Sequence, residues 1–314
     1  MTRQNLSIFS FKKFLFQLII PFLFILILLG FIFNYFFEKK IILGAEISGS
    51  YKVNRIINQY NLDEIPFFGS SRAEGTFIPD SLVKNGFNYG MTGTKTNVLI
   101  FFLKEECKKK GKNGPIIINF DLDGLIYNLG EQSDYILNAN YAPIKKLLDS
   151  NFKFIYNIPF LKYFGNFEIL TKYYLNNKLN LTKFTNKGAS IEKNELPKSK
   201  FDDLVKQRIS NPEHFQADNK LLSEIVNIIR ENHNRKFIFV INPYHSSYFK
   251  FYPNLIEAIK CLDNLRSFPN VVILDFSKIN YPDNYFLNTT HLNLRGALDF
   301  NKILKDSLKT YIYK

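Results

Sequence analysis

Ile65-Pro66-Phe67-Phe68-Gly69-Ser70-Ser71-Arg72-Ala73-Glu74 is the stretch on which the reading of this chain turns. An apolar run stops at a glycine and two serines, the pattern of a buried strand that hands a hydroxyl to its carboxyl end. The glycine permits a sharp turn, and amides just past the strand can face the same space as a serine oxygen. Gly-Ser-Ser is also ordinary turn composition, so the stretch acquires meaning only from partners elsewhere in the chain.

Further apolar runs with the character of buried strands follow around Gly86 to Tyr89, at Pro115 to Phe120, at Lys236 to Ile241 and at Val271 to Leu274. Helix-like stretches separate them: Lys95 to Lys110, Asn219 to Glu231, Asn254 to Leu265, and Leu292 to Tyr311, whose Leu294, Leu298 and Leu308 recur at helical spacing. A short helix, about Ser50 to Tyr60, precedes the first strand. The alternation predicts an α/β fold of the flavodoxin-like, three-layer kind, with a five-stranded parallel sheet and ligands at the strands' carboxyl ends. Between Leu125 and Pro212 the pattern gives way to a section rich in Tyr, Phe, Asn and Lys, too long for a plain loop. A largely helical insertion, about 125–212, is expected there over the carboxyl edge of the sheet. Its aromatic residues would form a small core of their own, or the insertion would shape a substrate cleft or bind a partner.

Upstream, Phe14 to Phe37 is apolar almost without a break, and about 20 such residues span the hydrocarbon of a bilayer. Pro21 and Gly30 are tolerated in membrane helices, while Asn34, Tyr35 and the Glu38 to Lys40 segment mark the far interface. The run is too long for a secretory signal peptide, and no small-x-small cleavage site follows it. Arg3, Lys12 and Lys13 precede it with no acid among them, which favours a cytoplasmic amino terminus, although Lys39 and Lys40 weaken that bias. The expected organisation is therefore a cytoplasmic segment 1–13, a transmembrane anchor 14–37, a linker and helix 38–60, and an extracytoplasmic domain 61–314.

The formal charge of +13 comes from lysines scattered among asparagines and aromatic residues, with no basic block and no nucleic-acid module. That distribution argues against nucleic acid as a partner and leaves room for anionic lipid or an anionic polymer. With four histidines, no Cys-x-x-C and no His-Glu-x-x-His, neither a metal nor another cofactor is expected. Cys107 and Cys261 both fall in helix-like segments, either as free core residues or as one bridge.

Three segments converge on the predicted carboxyl edge: Gly69-Ser70-Ser71-Arg72, Asn88-Tyr89-Gly90-Met91-Thr92-Gly93-Thr94, and Asn288-Thr289-Thr290-His291-Leu292-Asn293-Leu294-Arg295-Gly296-Ala297. A serine, a glycine amide and a histidine are the minimum set for acyl transfer: nucleophile, oxyanion donor and base. Their order, with Gly-x-Ser after the first strand, Asn-x-Gly after the second and His-Leu-Asn-x-x-Gly-Ala opening the last helix, resembles the SGNH (GDSL-type) hydrolase superfamily. Gly-Ser-Ser-Arg behind one anchor is similar to its membrane-tethered branches, among them D-alanyl-lipoteichoic acid transfer and polysaccharide O-acetylation proteins. The resemblance covers about Ile65 to the carboxyl terminus, without the insertion.

The resemblance implies Ser71 as nucleophile, His291 as base, and the Ser71 amide with Gly90 as oxyanion donors. The third-strand segment, Asn119-Phe120-Asp121-Leu122-Asp123-Gly124, lacks the family's Gly-x-Asn-Asp, and an ionised aspartate cannot donate. Asp121 or Asp123 would instead hold a substrate hydroxyl, position His291 or Arg72, or cap the next segment. Asn288 stands where the family has an acid, three residues before the histidine; its amide can orient the imidazole but brings no charge. A Ser-His dyad, another acid such as Asp283, or weak or absent activity are the three consequences. Taken alone, His291 could equally be a residue capping the last helix. Arg72 would pair with Glu74 or a third-strand aspartate, or contact an anionic substrate group. His245, after the fourth strand, is a candidate second base or substrate contact, or a loop histidine without a role.

The resulting expectation is a membrane-anchored extracytoplasmic esterase or O-acyltransferase acting on a cell-envelope polysaccharide or related polymer. The alternative is a catalytically weakened module of the same fold that binds a polymer or a membrane acyltransferase partner. The periplasmic face of a transport assembly rests on the anchor alone.

Overall fold

The computed structural model describes residues 11–37, 40, 46, 49–94, 96–124 and 182–312. Seven strands occur in this set: β1 Ile65–Phe68, β2 Gly86–Asn88, β3 Ile116–Asn119, β4 Lys183–Asn186, β5 Ala189–Glu192, β6 Phe237–Ile241 and β7 Val271–Asp275. Five of them form one parallel sheet in the order β2-β1-β3-β6-β7, and β4 pairs with β5 in a separate antiparallel hairpin. The order inverts once, at β1 and β3, so the crevice where ligands enter a doubly wound sheet opens above these two strands.

Helices cover both faces, which is why the strands read as unbroken apolar runs. Ile116, Ile118, Phe237, Phe239 and Ile241 point to one layer, with α1 Gly49–Asn58, α4 Thr96–Cys107, α6 Asn219–Glu231 and α7 Ile256–Arg266. Ile117, Ile238 and Val240 point to the other, with two short helices after β1, α2 Ser71–Glu74 and α3 Pro79–Leu82, and with α5 Lys198–Ser210 and α8 Leu294–Ile312. The strict alternation of partners along β3 and β6 is the two-residue period of a strand made visible by packing.

On α8 the buried stripe is Ala297, Phe300, Asn301, Leu304 and Leu308, while Leu298 is 43% exposed. Of the leucines whose spacing marked the helix, Leu308 lies on this inner face and Leu294 packs against its edge, while Leu298 does not.

Most of the expected insertion, 125–181, lies outside the described residues. The described remainder is not all helical. The β4–β5 hairpin comes first, and the carbonyl at its turn, Lys187, accepts from the Asn88 amide at 2.9 Å, so the hairpin closes against edge strand β2. Helix α5 follows, with Phe201 buried.

Leu15–Phe37 is one helical segment of 23 residues with mean hydropathy 2.8 and almost no buried side chains, and it is apolar enough to cross a membrane. The turn before Pro21 widens: the Ile20 amide bonds to the carbonyl of Leu15, five residues back. Proline supplies no amide and crowds the preceding carbonyl, and such a wide turn accommodates it. Cys107 and Cys261 are both free, and burial pushes the Cys107 thiol up to about 11.

Candidate active site

The turn after β1 depends on Gly69, whose φ of +147° is one that L side chains rarely adopt. A Cβ there would sit 2.7 Å from that of Ala73 and 2.9 Å from that of Asn119. Ser70 caps the helix that follows, its hydroxyl accepting from the Arg72 amide at 3.2 Å and donating to Asp121 Oδ2. The helix α2 is only four residues long and cannot sustain itself. Side chains from outside hold it. Glu74, its last residue, accepts from Lys52 Nζ at 3.0 Å and from the Thr92 amide and hydroxyl at 2.9 and 2.6 Å. Asn88 donates through Nδ2 to the carbonyls of Ala73 and Phe77, both at 2.8 Å.

Ser71 opens α2, so its amide is one of those that a helix start leaves without an internal partner. Its Oγ lies 2.7 Å from Nε2 of His291, across 220 positions of sequence. On the other side of the ring, Nδ1 lies 3.0 Å from Asn288 Oδ1 and 2.9 Å from Thr290 Oγ1. The Asn288 oxygen also accepts the backbone amides of Thr290 and His291, each at 2.9 Å, which fixes that atom as the oxygen. Nδ1 must then carry the proton, and Nε2 presents its lone pair to the Ser71 hydroxyl. Burial first, then the Arg72 charge, push the imidazole down to about 4 against the opposing pull of Asp121. The ring is neutral at pH 7.

Arg72 is 4% exposed and points into the protein. Its Nε donates to the Thr290 carbonyl at 2.7 Å, Nη1 to Asp121 at 3.1 Å, and Nη2 to the carbonyls of Asn242 and Pro243 at 3.2 and 3.1 Å. The guanidinium also lies 3.6 Å from the Tyr244 ring centroid. It is thus spent on joining α2, the ends of β3 and β6, and the loop that carries His291, so a substrate contact does not fit it. Its acidic partner is Asp121, while Glu74 pairs with Lys52.

The other expected contacts divide in the same way. Asp121 is taken up by Arg72, by Ser70 and by Asn119 Nδ2 at 2.7 Å, which leaves it a brace instead of a hydroxyl holder. Asp123 differs: burial, and after it the charge of Asp121, push its carboxyl up to about 6. His245 caps the turn Ser246–Lys250 through Nδ1, which accepts from the Ser247 amide, and its Nε2 donates to Asp283 at 3.1 Å. Both nitrogens are engaged, and the ring meets Phe201 and Phe286 edge-on, so neither a second base nor a substrate contact fits His245. Asp283 is occupied there and does not replace Asn288.

Gly90 also departs from expectation. Its amide donates to Asn88 Oδ1 at 2.8 Å and is not free for an oxyanion. A Cβ at this position would come within 2.5 Å of the Glu74 amide nitrogen, so the residue is a glycine because the turn packs against the back of α2.

Lys52 was not singled out from sequence, although it lies four residues before buried Ile56, on the inner face of α1. Thr290 likewise has a role at Nδ1 that no motif carried. Among the described residues no group of three or more His, Cys, Asp or Glu is placed to hold a metal ion.

No family model matches this chain, and no curated protein matches it. A solved structure from Streptococcus pneumonia, provisionally described as a platelet activating factor, aligns with 83% of this chain and 90% of its own at 13% identity and a TM-score of 0.42. At that distance the likeness carries no residue role from one chain to the other.

Proposed function

We propose that this protein is a membrane-anchored serine esterase or O-acyltransferase. The observation that carries the reading is the 2.7 Å contact between Ser71 Oγ and the unprotonated nitrogen of a neutral His291. Nε2 takes the hydroxyl proton as Oγ attacks an acyl carbonyl, the Ser71 amide donates to the developing oxyanion, and the proton then passes to the departing alkoxide. Water or a glycan hydroxyl, deprotonated by the same nitrogen, releases the acyl group from Ser71. Asn288 orients the ring but supplies no charge to the imidazolium, and one amide in place of several leaves the oxyanion less stabilised by roughly 10²–10³-fold per missing donor. A slow enzyme, or one matched to an activated acyl donor, is the consequence.

The anchor and the Gly-Ser-Ser-Arg resemblance support an extracytoplasmic site and, as substrate, an acylated cell-envelope polysaccharide or related polymer, with a membrane-bound acyltransferase as a fitting partner. Incubation of the full chain with a fluorophosphonate probe tests this directly. Labelling that disappears in Ser71→Ala is the expected result. Folded wild-type protein that never takes the label favours the second reading, a polymer-binding or partner-binding module, which the occupied Gly90 amide and Asn288 support.

A further inference from the structure

Lys52 belongs to α1, the helix that follows the apolar segment ending at Phe37, and it is fully buried. Its ammonium donates to Glu74 Oε1 at 3.0 Å and to the carbonyl of Gly90. A buried lysine is costly unless fully paired, and an apolar side chain in its place would bring no desolvation penalty. What the charge achieves is a link between three elements. Glu74 closes the carboxyl end of α2, Gly90 is the turn packed behind α2, and Thr92 of the same turn donates twice to the Glu74 carboxylate. Since a one-turn helix has no stability of its own, the direction in which α2 presents Ser71 is set by these clamps together with the Ser70 cap, the Asn88 bonds to Ala73 and Phe77 and the Arg72 fork.

We propose that Lys52 is a positioning residue for Ser71, and that the helix after the membrane segment is thereby a working part of the site instead of a spacer. The inference rests on the acyl-transfer reading above. Lys52 ties the far end of α2 and the Gly90 turn to one rigid point on α1; without it the two remain joined to each other through Thr92 and Asn88 but lose their hold on α1, can shift together, and Oγ leaves its line with Nε2. Arg55, one turn further along α1, serves as the internal control. It pairs with Glu64, donating from Nε at 3.2 Å, and lies over the Phe87 ring, so it fastens α1 to the sheet without touching α2.

The test uses the full-length chain and a soluble fluorophosphonate, measuring the limiting labelling rate constant and the half-saturating probe concentration separately, with thermal unfolding giving the folded fraction. In Lys52→Met the limiting rate of the folded protein is expected to fall by about ten- to a hundredfold, the scale of a displacement near 1 Å, with the half-saturating concentration unchanged. Glu74→Gln, which keeps the shape and an oxygen for Thr92, is expected to fall in the same parameter by less, and it decides the matter if Lys52→Met does not fold. Arg55→Met is expected to lose stability but keep the limiting rate of its folded fraction. The proposal is overturned if folded Lys52→Met or Glu74→Gln reacts at the wild-type rate, or if Arg55→Met slows labelling to the same extent. A folded wild-type chain that takes no label instead refutes the acyl-transfer reading, and this inference with it.

Discussion

At the scale of single residues, the decisive atom is the Asn288 side-chain oxygen. It collects two backbone amides and Nδ1 of His291, so the tautomer is set without any ionised group. Two outcomes follow from the neutral ring. Because burial and Arg72 push His291 down to about 4, labelling of Ser71 should be flat above about pH 5 and fall only as pH drops through that value. The same depression makes the half-buried neutral ring a source of stability that is present above its unfolded pKa, near 6.5, and lost as pH falls from there toward 4. Asn288→Asp keeps every acceptor contact and adds a charge facing the ring. It should raise the plateau rate by about ten- to a thousandfold, short of the roughly ten-thousandfold attached to the acid in the serine-protease template, and move the acid limb upward. A wild-type limb near 6.5 would contradict the assignment. Ser71 and His291 were legible in sequence because short motifs fix both. The pairing of Arg72 with a third-strand aspartate was legible as well, and Asp121 fills it; the duties of Gly90 and His245 were not, since each depends on which neighbour claims a donor or acceptor, and Asn88 and Asp283 make those claims.

Between elements, the site is a set of short pieces held by side-chain clamps. Arg72 joins α2, the rims of β3 and β6 and the His291 loop, so Arg72→Ala leaves Asp121 without its counter-charge and three carbonyls without a donor. Chemical denaturation should register a loss of about 3–5 kcal/mol, the usual consequence of halving a buried ion pair. Arg72→Lys keeps the charge but not the fork, and should recover only part of that. Gly90→Ala tests the opposite clamp: its methyl meets the Glu74 amide nitrogen at 2.5 Å, so a cost of about 1–3 kcal/mol is expected along with slower labelling. β1, β3 and β6 were readable in advance because burial on both faces writes them as runs of apolar residues, and the half-buried β7 keeps a Val-Val-Ile-Leu run, whereas β2, Gly-Phe-Asn, carries a single large apolar side chain. The β4–β5 hairpin was not readable. Its pairing of Phe184 with Ile191 across a Lys187-Gly188 turn has the right alternation, but it is embedded in a long stretch of the same Lys, Asn and aromatic residues and carries no longer apolar run to mark it.

For the whole molecule, two features could hold the chain at a membrane, and salt separates them. One is the helical segment Leu15–Phe37; at roughly 0.3–0.6 kcal/mol for each Leu, Ile or Phe placed in hydrocarbon, its insertion is favourable by an amount on the order of 5–10 kcal/mol, independent of ionic strength. The other is the net charge of +13, where each basic residue near an anionic surface contributes about 1 kcal/mol within a Debye length. That length shrinks to about 3 Å at 1 M salt, so the second attraction vanishes under conditions that leave the first intact. Membranes carrying the full chain, washed in 1 M sodium chloride, should therefore retain it in the pellet and release it only to detergent. A variant lacking residues 1–37 should leave the pellet in salt alone. Release of the full chain by salt would mean that surface charge, and not a spanning helix, tethers the domain, and would remove the physical basis for placing Ser71 and His291 at a bilayer surface.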